Sequence, residues 1–591
     1  MKQVLSLYRQ VLGILPPGGR RFVLTYSWLL ASLALFDAVA LGLLAVVLGP
    51  VAIGMPVVLP FVGELDTIGL VWVILTICLM LIAKSVFAVI VTWWATRRMP
   101  RYEVAIGDNL LRSYLAAPWR DRLRKNSVDI MRFSDSGIDA SINSFLMPGA
   151  TLLGEVVTLI VVIATLAVVQ PVLAVATLVY LLIIGSVLFF WIAGHARKAG
   201  EVNVNYTVRS ARLILEIIAS MKEVTLRNKE AEVADVIKLA RLSSVQARAN
   251  IQFLGQLPRF ALEAGLVGGF LVIGGVGFLL GGVEQAIVAI GLFALAGFRV
   301  APSVIRFQSV LSQMISAAEF PRQVLVEIAD VEQGRALSTP GWKDVPPVWD
   351  RIVFDDVTFH YSPDAPPAVR NVSLEIPFGS TVAFVGTSGS GKSTMVDLLL
   401  SLLDPTTGHI RIDETPLSEL RTSWRSRVGY VPQDVALFDA TVAQNVALTW
   451  GDGYDTDRVR HALEQAQLWT LISAREGGVN ARVGERGLAL SGGQRQRLGI
   501  ARALYSQPQV LVMDEATSAL DTATESQVAT AIDSIAQGTT KIVVAHRLAT
   551  IMKSDRIFFM QDGVVAGSGS FEELIAQHPD FAHQAQLAGL A

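Results

Sequence analysis

Six long apolar runs dominate the first 311 residues of this 591-residue chain, at about 22–48, 68–95, 149–169, 172–193, 260–281 and 285–311. A helix of about 20 apolar residues crosses the ~30 Å hydrocarbon layer of a bilayer. No water is present there to hydrogen-bond the backbone, so each run is expected to satisfy its own N–H and C=O groups as an α-helix. The first run exceeds the ~7–15-residue core of a signal peptide and reads as a span, not a cleaved leader. Ahead of it, residues 1–15 read as an amphipathic helix lying on the membrane, broken by Pro16, Pro17, Gly18 and Gly19. Pro171 and the pair Gly281 and Gly282 mark tight turns between neighbouring spans.

The connections between the runs differ in charge. Segments 49–67, 170–171 and 282–284 hold no Lys or Arg, whereas 96–148 holds nine and 194–259 holds eleven. Basic connections stay in the cytoplasm. Six spans then put both chain ends, and the soluble half, on the cytoplasmic side of the cell membrane. The two basic segments are long for plain loops, and 104–117 and 206–238 repeat apolar residues at helical spacing. The spans are therefore expected to continue as helices about 30–40 Å into the cytoplasm. Each pair would end in a short helix touching the soluble half.

Charges within spans are costly and face a partner or a cavity. Asp37, Lys84, Glu155, Glu263, Arg299 and Arg306 are such charges, and Arg259 lies at the edge of a span. Arg259 and Glu263 lie one turn apart, and Arg299 and Arg306 share a face. Two readings stand: ion pairs between helices, or a cavity that receives an anionic group.

The second half has another character. Residues 1–349 carry 30 basic against 23 acidic residues, and residues 350–591 carry 19 against 28. The single cysteine, Cys78, excludes an intrachain disulfide and a cysteine zinc site. Residues 319–349, with Pro321, Pro340, Pro346 and Pro347, read as a linker. Beyond it, a strand-like run ends in Gly386, Thr387, Ser388, Gly389, Ser390, Gly391, Lys392, Ser393 and Thr394, and a helical run follows. Strand, glycine loop and helix is the context of a phosphate-binding P-loop. Its backbone N–H groups and helix N-terminus face phosphate oxygens. Lys392 would reach the outer phosphates and Ser393 would ligate Mg²⁺. Downstream, the apolar run from Val510 ends in Asp514, placed to hold Mg²⁺, and Glu515, the candidate general base. Between them Ser491, Gly492, Gly493 and Gln494 open a helix and form a second anion site. One bound nucleotide cannot easily use both sites of one fold. A head-to-tail dimer, with each ATP between one P-loop and the partner's Ser-Gly-Gly loop, uses both.

These motifs in this order resemble the ABC ATPases, and the whole chain resembles an ABC exporter half-transporter. The resemblance implies a polytopic helical membrane domain (1–320), a linker (321–349) and an α/β P-loop ATPase domain (350–591). It implies that Tyr361 stacks on adenine and that Gln433 senses Mg²⁺ and the attacking water. Gly484, Glu485, Arg486 and Gly487 resemble the exporter X-loop. Ser518, Ala519, Leu520 and Asp521 resemble the D-loop, and His546 the switch histidine at the γ-phosphate. No position of either half-site is degenerate, which implies a homodimer with two competent ATP sites. The segments around Leu257 to Glu263 and Phe298 to Arg306 resemble flippases for lipid-linked oligosaccharides. In that group basic residues receive the lipid's pyrophosphate, a role that would fall to Lys84, Arg259, Arg299 and Arg306. The expected function is ATP-driven export or flipping of a glycolipid. The alternatives are a lipid or multidrug exporter, a peptide exporter and an ATP-gated channel. The spans exclude the soluble relatives that act on nucleic acid.

Overall fold

A computed structural model describes residues 2–53, 58–59, 63–64, 67–123, 125, 127–169, 171–337, 341–484, 487–515, 538–545, 548–587 and 590. The chain forms two compact units: Met1–Ala117 with Arg124–Ala336, and Pro118–Leu123 with Leu337–Ala591.

The first unit is helical. Its long members are Pro17–Ile53, Thr67–Ala116, Met147–Val169, Pro171–Ala219 and Glu230–Ala317. Among the described residues, four helical stretches are long and apolar enough to cross a membrane: Ile68–Ala116, Ala140–Ala164, Leu178–Ala219 and Glu230–Leu279. The unit is therefore multi-pass. Thr67–Ala116 has 50 residues, about 75 Å at 1.5 Å per residue, well beyond a bilayer's hydrocarbon. Glu230–Ala317 is two helices joined at Gly281 and Gly282, where the backbone leaves helical geometry and Gly282 takes φ 76°. That left-handed conformation favours glycine, and the break falls at the turn read from the sequence. Pro171 opens its helix, where its missing N–H would have had no partner.

Packing alters two readings. The amphipathic N-terminal helix Lys2–Ile14 buries Val4, Leu7 and Val11 in the unit's own core, with Phe22, Phe145 and Met314. Its apolar stripe has a protein partner as well as the lipid expected. The first part of the expected linker is helical, Glu319–Leu337, and groups with the membrane unit as far as Ala336. Pro321 does not interrupt this helix, because a proline in a helix's first turn removes an N–H that had no partner anyway. Lys125 holds this helix through Glu327 at 2.9 Å and Asp330 at 2.6 Å.

The second unit is α/β. A six-stranded sheet runs in the order Val564–Gly569, Arg556–Gln561, Thr381–Gly386, Thr540–Val544, Val510–Asp514, Val428–Val431. Only its first pair is antiparallel. The runs Val382 to Val385 and Val510 to Val512 are fully apolar and buried, as strands covered on both faces require. A four-stranded antiparallel sheet, centred on Arg351–Phe359 and Thr407–Ile412, shares a core with it. The short helix Trp119–Leu123 groups with this unit, and Trp119 packs on that core. Val544 stands level with Phe384 on one side and Asp514 on the other. The P-loop and the Asp514–Glu515 turn therefore leave the same edge of the sheet, at the carboxyl ends of parallel strands.

Candidate nucleotide site

The loop after Thr381–Gly386 turns into the helix Lys392–Leu399 through Gly391 at φ 100°. A Cβ there would meet the Ala368 carbonyl oxygen at 2.5 Å, so the loop can close only with glycine. Lys392 is 5% exposed, and its ammonium donates to the carbonyls of Gly386 and Thr387, each at 2.9 Å. Burial lowers its pKa, and the carboxylates of Glu515 and Asp514 oppose that shift. A buried cation beside the N–H groups of a helix start receives an anion, while the two carboxylates suit a cation bound with it. Ser390 adds a buried hydroxyl with no hydrogen-bond partner among the described residues. Tyr361, 37% exposed, bonds through its hydroxyl to Thr394 Oγ1 at 3.1 Å, with its ring edge-on to Phe359.

Glu515 follows the strand in a left-handed conformation, φ 51°. A non-glycine residue held there stores backbone strain, a frequent feature of reacting sites. Its N–H donates to the Val544 carbonyl at 3.0 Å, and its Oε2 accepts from Gln433 Nε2 at 2.9 Å. The structure thus joins Gln433 to the expected base. The donor set of Ser393, Gln433 and Asp514 is oxygen-rich and suits Mg²⁺.

Two residues of this site were not singled out from the sequence. Tyr430 donates to Asp514 Oδ2 at 3.4 Å, and burial next to that carboxylate raises its pKa. Strand alternation could have found it, since Gly429 and Val431 are buried on the face opposite to it. Asp397 lies one helical turn beyond Ser393, hence on the same face. Burial, reinforced by Asp514, pushes its carboxyl from 3.8 up to about 6. A carboxyl raised on folding holds its proton more firmly in the folded state. Stability is then full below the unfolded value and is lost as pH rises through the folded one. Asp397→Asn is expected to raise the unfolding temperature by about 2–4 °C near pH 7, measured in EDTA, with the gain fading toward about pH 4. A gain independent of pH would sink this account.

Ser491 caps the helix Gly492–Tyr505: its hydroxyl accepts from Gln494 N, and Gln494 Oε1 accepts from Ser491 N at 3.0 Å. This capping box leaves Ser491 and Gly492 exposed. Further along the helix, buried Gln496 approaches the Glu515 carbonyl oxygen at 3.4 Å. Asp521 and His546 lie outside the described residues, as do Glu485, Arg486 and the whole D-loop resemblance.

In the membrane unit, Arg306 Nε bonds Glu155 Oε1 at 2.6 Å and Arg259 Nε bonds Glu263 Oε1 at 3.0 Å. The other Glu155 oxygen is buried with no partner among the described residues. Lys84 is half-buried, and the side chains of Arg299 and Asp37 lie outside the described residues.

Residues 369–518 match the family model described as "ABC transporter". Proteins named "ATP-dependent lipid A-core flippase" are similar: 41% identity over 261 residues in Salmonella typhimurium and 43% over 240 in Ralstonia nicotianae. These matches cover 44% and 40% of this chain and the same shares of those proteins, so the chain spans less than half the length of these relatives. The solved "Structure of a bacterial Atm1-family ABC exporter with ATP bound" aligns over 97% of this chain and 99% of that one. The TM-score is 0.76 and the identity 23%, a likeness of fold.

Proposed function

We propose that this chain, which has the fold of an ABC exporter and carries an ABC transporter ATPase domain, is one half of an ATP-driven flippase. Its substrate is a glycolipid of the lipid-linked oligosaccharide kind, taken from the cytoplasmic side by alternating access. The observation that carries the ATP-driven part is Glu515, held by Gln433 at the edge of the sheet that also bears the P-loop. Glu515 takes the proton of the attacking water, and Gln433 orients that carboxylate. Lys392, the P-loop amides and Tyr361 hold ATP, and His546 takes the role of the switch histidine that it resembles in sequence. Ser393, Asp514 and Gln433 would hold Mg²⁺, which would supply neutralisation of the charge on the phosphates. The exposed Ser491 and Gly492, with the half-buried Gly493 and Gln494 and with Asp521, close the ATP site of a second copy in a homodimer. The membrane domain takes in the helix Glu319–Leu337, and the ATPase domain is assigned to residues 350–591. The chain sits in the cell membrane with both ends and the ATPase domain cytoplasmic.

The lipid A-core flippases among the relatives support a lipid-type substrate. Lys84, Arg259, Arg299 and Arg306 are the cations proposed for its diphosphate. A second reading has its own support: Arg259 and Arg306 are ion-paired, as in a lipid or drug exporter whose span charges serve structure.

ATPase activity in lipid nanodiscs, titrated with a polyprenyl-diphosphate glycolipid, separates the two. Glycolipid is expected to stimulate the wild type, and Arg306→Ala to abolish that response. Glu155→Gln releases Arg306 from its carboxylate and is expected to lower the half-maximal glycolipid concentration by about tenfold. Stimulation by simple lipids or drugs instead, with thermal destabilisation as the main effect of both variants, would favour the second reading.

A further inference from the structure

The membrane unit contains a cavity of about 570 Å³ that the proposed transport charges do not line. Its walls are the helices Pro171–Ala219 and Glu230–Ala317. The first supplies Trp191, His195, Lys198 and Tyr206, and the second supplies Gln246 and Asn250. With Val202 between Lys198 and Tyr206, these positions recur at three- and four-residue intervals in each helix, so each wall is a single helical face. Trp191 lies at the expected cytoplasmic end of a span, the level at which tryptophan marks the membrane interface. Tyr206 is 15 residues further on, so the cavity runs about 20 Å from the headgroup layer into the cytoplasm.

The lining has a definite chemistry. The rings of Trp191 and His195 are 4.5 Å apart, and His195 Nδ1 lies 2.8 Å from the Trp191 carbonyl oxygen, which fixes their relation. Gln246 and Asn250 sit one turn apart and offer two amides, each with donors and an acceptor. Lys198 adds one ammonium. No lining residue is a carboxylate. The volume is that of a small-ligand site, where a few polar groups converge within an aromatic or apolar wall.

A purely apolar tail or drug would make no use of two amides and an ammonium. A simple anion would not use the aromatic faces. A sugar ring uses all of these features. Its C–H face packs on an aromatic ring, its vicinal hydroxyls both donate to and accept from amides, and an attached phosphate pairs with the lysine.

We propose that this cavity is a receptor for the phosphorylated sugar headgroup of a glycolipid in the cytoplasmic leaflet. It would engage the headgroup before the diphosphate reaches the span arginines. The proposal rests on the glycolipid reading given above and adds a headgroup site to it.

Calorimetry on the full chain in nanodiscs, with a water-soluble oligosaccharide phosphate as probe, tests it. Asn250 and Lys198 are exposed, so Asn250→Ala and Lys198→Ala are expected to fold. Each is expected to weaken binding by about tenfold. Lys198→Ala should also erase the preference for the phosphorylated over the unphosphorylated sugar. Equal affinity in wild type and both variants overturns the proposal. So does loss of the dimer on size exclusion in these variants, because a second copy would then fill the cavity. Glycolipid-stimulated ATPase activity, measured in parallel, keeps the two ideas apart. Sugar-phosphate binding lost in the variants, with no stimulation of the wild type by glycolipid, removes the transport reading and leaves the site. Stimulation of the wild type with unchanged sugar-phosphate binding in the variants does the reverse.

Discussion

Glu515→Gln is expected to lower ATP turnover by about 10²–10⁴-fold, the usual range for loss of a general base. ATP binding should be retained. An amide cannot take a proton from water at neutral pH, so the chemical step loses its acceptor. The local geometry should survive. The amide oxygen can still accept from Gln433 Nε2, and the backbone bond from residue 515 to the Val544 carbonyl is untouched. The left-handed conformation at φ 51° belongs to the backbone and is equally open to glutamine. Steady-state phosphate release and nucleotide binding, measured on the same preparation, decide the matter. Near-wild-type turnover would remove Glu515 as the base. Loss of both turnover and binding would make it a structural residue of the strand end.

Lys392→Met is expected to weaken ATP binding by about 10²-fold, the scale of losing charge-assisted hydrogen bonds to phosphate. The side chain is 5% exposed, so methionine can occupy the volume of the aliphatic stem. What disappears is the ammonium, together with its two bonds to the Gly386 and Thr387 carbonyls. Part of the effect should therefore be a loosened loop, which thermal unfolding without nucleotide would report. Arg is not a conservative replacement here, because its planar fork cannot occupy the place of a compact point charge between two carbonyls. Unchanged ATP affinity in Lys392→Met would refute the P-loop assignment itself.

These two predictions rest on groups named from the sequence alone, and the reason is local. A P-loop is a short contiguous segment whose glycines, lysine and hydroxyl residue are set by one turn between a strand and a helix. Glu515 was legible because it directly follows an apolar strand. Gln433 was named by resemblance, but its bond to Glu515 joins residues 82 apart and needed the parallel sheet to be seen. Tyr430 and Asp397 were missed for a related reason. Neither belongs to a motif, and their proximity to Asp514 comes from the packing of strand and helix.

The membrane half divides in the same way. Apolar runs of bilayer length determined by themselves that this part is helical, because in lipid the backbone can be satisfied only by bonds within the segment. The Gly281 and Gly282 turn and the Pro171 helix start were equally local. The sequence left open what the charges within the runs do, and only the tertiary structure paired Arg306 with Glu155, 151 residues away. It also buried one face of Lys2–Ile14 in a protein core and carried the helix through Pro321. Hydrogen bonds to near neighbours follow from the order of residues. Side-chain partners distant in the chain depend on which faces the packed helices and strands turn toward each other, and that is decided only when the whole core has formed.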